Sequence, residues 1–184
     1  MDDAEQVLRL QLVATVTRVT SIAAAFFSRV TRDEDAFPVD ATVQSAWREL
    51  QGGGDESQRR GRWRDSLVRL ESAAPLHPVD MADIVSAAVA AARLLIDAWT
   101  APEEAALAAT LNARKVATSF DKAGLPAPSD QESWTSYEQV CTERIARTIR
   151  TGDVFAVRLE SGMQSMPYRQ AMLESAGRSG RGAA

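Results

Sequence analysis

The chain has 184 residues, a formal net charge of −4, and 45% hydrophobic and 25% charged residues. That is the composition of one ordinary globular domain with a core. The acidic balance excludes a strongly electropositive protein that coats nucleic acid or anionic lipid, though not a local basic patch.

The first predicted helix runs from about Asp2 to Arg32, without Gly or Pro. Leu12, Val16, Val19, Ala23, Phe26 and Val30 fall on one face in a 4-3-4-3-4 spacing, which averages about 3.5 residues and is helical. Val, Thr and Ile are dense between Val13 and Ile22 and lower helix propensity, but no period-two alternation supports a strand. Asp33 to Val39 reads as a connector closed by Pro38, with Asp40 capping a short helix through Leu50. Gln51-Gly52-Gly53-Gly54-Asp55 is a flexible break.

A third helix is expected from Glu56 to Ala74, with Trp63, Leu67, Leu70 and Ala74 on one face and Gly61 weakening its first turn. Pro75-Leu76-His77-Pro78 is a rigid loop, and Asp80 caps a helix ending near Trp99. That helix carries a second 4-3-4-3-4 seam: Met81, Val85, Ala88, Ala92, Leu95 and Trp99. Its central alanines permit close packing and point to it as the central core helix. Thr100-x-x-Glu103 reads as a capping box for a helix to Lys122, stopped by Gly124, Pro126 and Pro128. Ser129-x-x-Glu132 is a second such box, opening a helix through about Arg150. Trp134, Tyr137, Cys141, Ile145 and Ile149 give that helix an apolar face.

Val154 to Leu159 fits either a short strand, since Phe155, Val157 and Leu159 alternate, or a helical turn after Asp153. Helix is preferred because a lone strand has no partner. Ser165 and Pro167 start a last short helix to about Ser175. The expected architecture is an all-α, single-domain bundle of about six helices over 1–176. It has a long N-terminal helix, a flexible loop at 51–55, a short C-terminal helical segment and a disordered tail over 177–184. Pro38-Val39-Asp40 recurs as Pro78-Val79-Asp80, but the following residues differ, so these are two similar helix starts rather than a repeat.

Motifs that carry chemistry are sparse. One His and one Cys cannot build a His/Cys zinc site. No Glu-x-x-His pair, phosphate loop, dinucleotide fingerprint or EF-hand is present. His77 has no identifiable partner for acid–base work and reads as a loop residue. Cys141 lies on an apolar helix face and reads as a small hydrophobe rather than a nucleophile. Asp80 with Asp83, and Glu103 with Glu104, could bind a divalent ion, but each pair sits in a first turn, where acidic residues favour the helix dipole. No catalytic residue, metal or cofactor is therefore expected.

Two of the 21 basic residues, Lys115 and Lys122, are lysines and the rest are arginines. Arg59, Arg60, Arg62 and Arg64 crowd beside Trp63, and Arg144, Arg147 and Arg150 recur on a later helix. Either cluster could grip phosphates, with nucleic acid as a possible partner, or pair with nearby carboxylates as a solvated face. Met163, Met166 and Met172 with Tyr168 suggest a docking edge, with gap-filling against the bundle as the competing reading. The first seam, chiefly Leu12, Val16, Val19 and Phe26, could likewise extend beyond the bundle to another chain.

The expected function is a non-enzymatic interaction protein that self-associates or docks into a larger assembly. The alternative is a small nucleic-acid-contacting subunit using the Arg clusters. The acidic start lacks the basic opening of a secretory signal, and the lone Cys cannot form an intrachain disulfide; both favour the cytoplasm. Arg18, Asp83, Arg93 and Asp97 interrupt the two apolar helices, which argues against a bilayer span.

Overall fold

A computed structural model describes residues 3–30, 33–74, 81–128 and 130–179. His77, Asp80 and Ser129 lie outside the described residues. The described chain is all helical: α1 (Asp3–Val30), α2 (Asp33–Leu50), α3 (Ser57–Gly61), α4 (Arg64–Ala73), α5 (Ala82–Asp97), α6 (Pro102–Lys122), α7 (Trp134–Ile149) and α8 (Val154–Ser179). Seven of these span ten residues or more and α3 is a single short turn. The all-α bundle with a long first helix is as the periodicity predicts.

The sequence points to α5 as the central helix, but α1 takes that place. It packs against α2, α5, α6, α7 and α8. Its buried surface is wider than the seam implies because its hydroxyls satisfy themselves. Thr17 Oγ1 donates to Val13 O at 2.7 Å and Ser21 Oγ to Arg18 O at 2.9 Å, so these polar side chains can pass through the bundle without unpaired protons. By length and composition α1 would also suit a membrane, yet 78% of that apolar stretch is buried against its neighbours.

Two apolar clusters share α1. One gathers Ile22, Phe26, Phe27, Met81, Val85, Phe120, Trp134 and Tyr168. The other gathers Leu12, Val16, Val19, Trp47, Leu95, Trp99, Ile145 and Val157. Alanines at 88, 91 and 92 of α5 and at 105, 109, 113 and 117 of α6 are all buried, which lets these two helices lie close to each other and to α1.

Several boundaries differ from the sequence reading. The stretch from Asp33 to Val39 is helical rather than a connector, with Pro38 inside α2. Asp40 therefore caps nothing. The expected third helix is divided into α3 and α4 at Arg62–Trp63, next to Gly61. Thr100 does not form its capping box, since Ala101 is the N-cap and Pro102 opens α6. The cap of α7 is Ser133, whose side chain accepts from Ser136 N.

The glycine run after α2 closes the helix. Gly52 has φ +85°, and Gly53 N donates to Arg48 O at 2.8 Å, the arrangement of a left-handed C-terminal cap. The C-terminal part is the largest difference. Instead of a turn and a separate short helix, α8 is one element of 26 residues with Pro167 inside it. It reaches Ser179, past the boundary expected at Gly177, and 180–184 lie outside the described residues.

Candidate functional site

The first seam turns inward. Leu12, Val16, Val19 and Phe26 are fully buried within the chain, because α8 and α2 cover the face that could have met a partner. Tyr168 and Met172 are likewise buried in the core. Of the proposed docking residues, Met163 and Met166 are on the surface, and they have company the sequence reading missed. Phe155, Leu159, Met163 and Met166 are between 51% and 67% exposed. Steps of four, four and three residues keep them on one side of α8. The opposite side of the helix sends Val157, Ser161, Gln164, Tyr168 and Met172 into the bundle. Gly162 lies within the exposed stripe, and a Cβ there would meet nothing within 4 Å. It therefore leaves an open notch between larger side chains.

The first arginine cluster is largely spent on carboxylates. Arg60 is buried, not available to phosphate. Its Nη1 donates to Glu49 Oε2 at 2.7 Å and its guanidinium lies 4.2 Å from the centre of the Trp99 ring. Arg9 lies 4.8 Å from the same ring, and Glu49 Oε1 accepts from Trp99 Nε1 at 2.9 Å. Arg60 Nε and Nη2 have no hydrogen-bond acceptor; the negative face of the indole offsets part of their charge. Arg59 pairs with Glu56 at 3.1 Å and Arg64 with Asp97 at 2.8 Å, while Arg62 is exposed. Arg144 and Arg147 on α7, and Arg150 at its C-cap, are exposed. Among the described residues they form no ion pair.

The strongest buried polar arrangement joins α1, α7 and α8. Arg18 is completely buried and forks onto Glu138: Nε reaches Oε2 at 3.0 Å and Nη2 reaches Oε1. Tyr168 Oη donates to Glu138 Oε2 at 2.8 Å, and Arg18 Nη1 donates to Gln164 Oε1 at 3.0 Å. Gln164 Nε2 continues outward to Glu160 Oε1 at 2.7 Å. Burial alone would lower the Arg18 pKa, but the Glu138 charge and hydrogen bonds outweigh it and raise the value. No side-chain nitrogen or oxygen of Arg18 or Glu138 is left without a hydrogen-bond partner. With each of these buried polar atoms holding a protein partner, the cluster pins α1, α7 and α8 together.

Cys141 sits beside the pin, and burial pushes its thiol up to about 11. It stays protonated and unreactive at neutral pH, as its apolar position predicts. Asp83, Glu103 and Glu104 lie in the first turns of α5 and α6. Among the described residues no group of three His, Cys, Asp or Glu side chains could hold a metal. Compared with protein families, curated proteins and solved structures, the chain shows no match.

Proposed function

We propose that this chain is a non-enzymatic interaction protein that self-associates, two copies meeting along the outer faces of α8. The observation that carries this is the self-complementary order of the exposed stripe. Phe155, Leu159, Gly162 and Met166 follow a 4-3-4 spacing, which reads the same in both directions. A twofold axis crossing between residues 160 and 161 places each Leu159 opposite the Gly162 notch of the other copy. It also places each Phe155 beside the other copy's Met166, a favourable sulfur–aromatic contact.

The surface involved is modest. A specific interface takes about 800 Å² from each partner, and four side chains with their rim fall toward the low end. The dimer is therefore a reversible one. The nucleic-acid reading has weaker support, since most of its first cluster already serves carboxylates.

Sedimentation velocity on the full chain tests the proposal. The mass should rise with concentration from 19.9 kDa toward twice that value. Leu159→Glu should keep the protein monomeric, whereas Leu107→Glu, at an exposed position on α6, should leave association intact. A wild-type chain that stays monomeric throughout, or a Leu159→Glu chain that associates like wild type, would contradict it.

A further inference from the structure

A cleft of about 590 Å³ opens between α1, α2 and α8, within the ~300–1,000 Å³ range of small-molecule pockets. Its walls carry two opposite charges, Asp40 from α2 and Arg169 from α8. Among the described residues neither enters an ion pair or a hydrogen bond. They still sense each other: packing around the Asp40 carboxyl raises its pKa, and the Arg169 charge pulls it back. Asp40 as a residue is exposed at the mouth, so its carboxyl is both desolvated and reachable. Two unbridged opposite charges in one cleft make a dipolar site.

The hydroxyls of the cleft add a second constraint. Thr17 donates to Val13 O, Thr20 to Thr17 O and Ser28 to Ala25 O. Ser21 donates to the carbonyls of Arg18 or Ser165, and Ser165 itself to Gly162 O at 2.6 Å. Each hydroxyl proton is thus directed at the backbone; Thr17 Oγ1 also accepts from Trp47 Nε1 at 2.9 Å, so Thr20, Ser21, Ser28 and Ser165 are left to meet a ligand with oxygen lone pairs. A wall of acceptors beside a carboxylate suits a group with several N–H donors. Phe37 and Met166, both largely exposed, supply an apolar edge to the same cleft.

We infer that this cleft binds a zwitterionic ligand of amino-acid size. Its ammonium lies against Asp40 and the hydroxyl oxygens, its carboxylate against Arg169, and its apolar side chain along Phe37 and Met166. The site goes beyond the self-association reading and does not rest on it: Gly162 and Met166 border both the cleft and the α8 stripe, but the charges that define the site, Asp40 and Arg169, stand outside the stripe.

Titration calorimetry on the full chain tests the site with leucine as the probe. Isoamylamine and 4-methylpentanoate are the analogues that keep only the ammonium or only the carboxylate. Leucine should bind saturably with one site per chain. Each single-charge analogue should bind at least roughly tenfold more weakly, as should leucine to Asp40→Asn and to Arg169→Gln, since each loses a charge-assisted contact. Leucine binding should persist in the Leu159→Glu chain, which separates the site from dimerisation. No saturable leucine binding, an analogue that binds as well as leucine, or leucine binding indifferent to both cleft substitutions would overturn the inference. The analogue series on the wild-type chain decides the matter even if a variant fails to fold.

Discussion

Arg18 brings a full charge to the middle of the central helix, between the two apolar clusters. It is tolerated because Glu138 and Gln164 accept from the guanidinium at hydrogen-bond distance, while Tyr168 in turn donates to Glu138. Removing one partner of a buried pair is costly because it strands the other charge. Glu138→Ala should therefore destabilise the chain by about 3–5 kcal/mol in urea unfolding, whereas the double substitution Arg18→Met with Glu138→Leu should cost much less. Equal losses in the two would show that the pair holds the fold through its charges rather than through shape. The sequence marks Arg18 only as an interruption of an apolar seam. Its partner lies 120 positions away, so no local spacing connects them. Arg60 was hidden for a similar reason: among neighbouring arginines it looks solvated, and only the tertiary approach of Glu49 and Trp99 buries it.

At the scale of elements, helical periodicity is the robust signal and punctuation is the weak one. Pro38 and Pro167 read as helix boundaries, yet both lie inside helices. At Pro167 the ring removes one backbone bond and crowds the preceding turn. Tyr137 Oη donates to Gln164 O at 2.9 Å and Ser21 Oγ to Ser165 O at 3.1 Å, so neighbouring helices bond the carbonyls that follow Met163, whose helical donor Pro167 lacks. Packing against α1 and α7 holds the helix through the disruption, information a local reading does not contain. The capping boxes at Thr100 and Ser129 misled for the complementary reason: their spacing is short and common, and Ala101 and Ser133 take the cap positions instead. Gly124 was legible because its role is conformational. It ends α6 at φ +65°, and a Cβ would meet nothing within 4 Å. Gly124→Ala should thus cost only the left-handed backbone term, about 1–2 kcal/mol, read as a lowered thermal midpoint. A neutral or stabilising result would contradict that backbone role.

For the whole molecule, the decisive feature is that α8 is apolar on two sides. One side closes the core over Arg18 and Glu138; the other faces outward. The sequence shows Met163 and Met166 as an edge but hides Phe155 and Leu159, because Phe155, Val157 and Leu159 alternate as a strand would. Over five residues, alternation and a helix turn are hard to separate. The structure resolves the ambiguity: the stretch is the first part of helix α8, with Val157 buried and Phe155 and Leu159 exposed. In the proposed dimer, the outer side is made specific to a second copy by its palindromic order about the point between residues 160 and 161.

An intersubunit disulfide trap tests that order most directly. In the proposed dimer, residue 159 of each copy stands opposite residue 162 of the other. The double substitution Leu159→Cys with Gly162→Cys should then form covalent dimers rapidly under mild oxidation, since disulfides need Cα atoms roughly 4–7 Å apart. The natural Cys141 is buried and does not compete. Matched cysteines at Leu107 and Leu111 on α6 should cross-link far more slowly. Rapid covalent dimers from the α8 pair alone are the predicted result; no covalent dimer, or equal rates from both pairs, would contradict it.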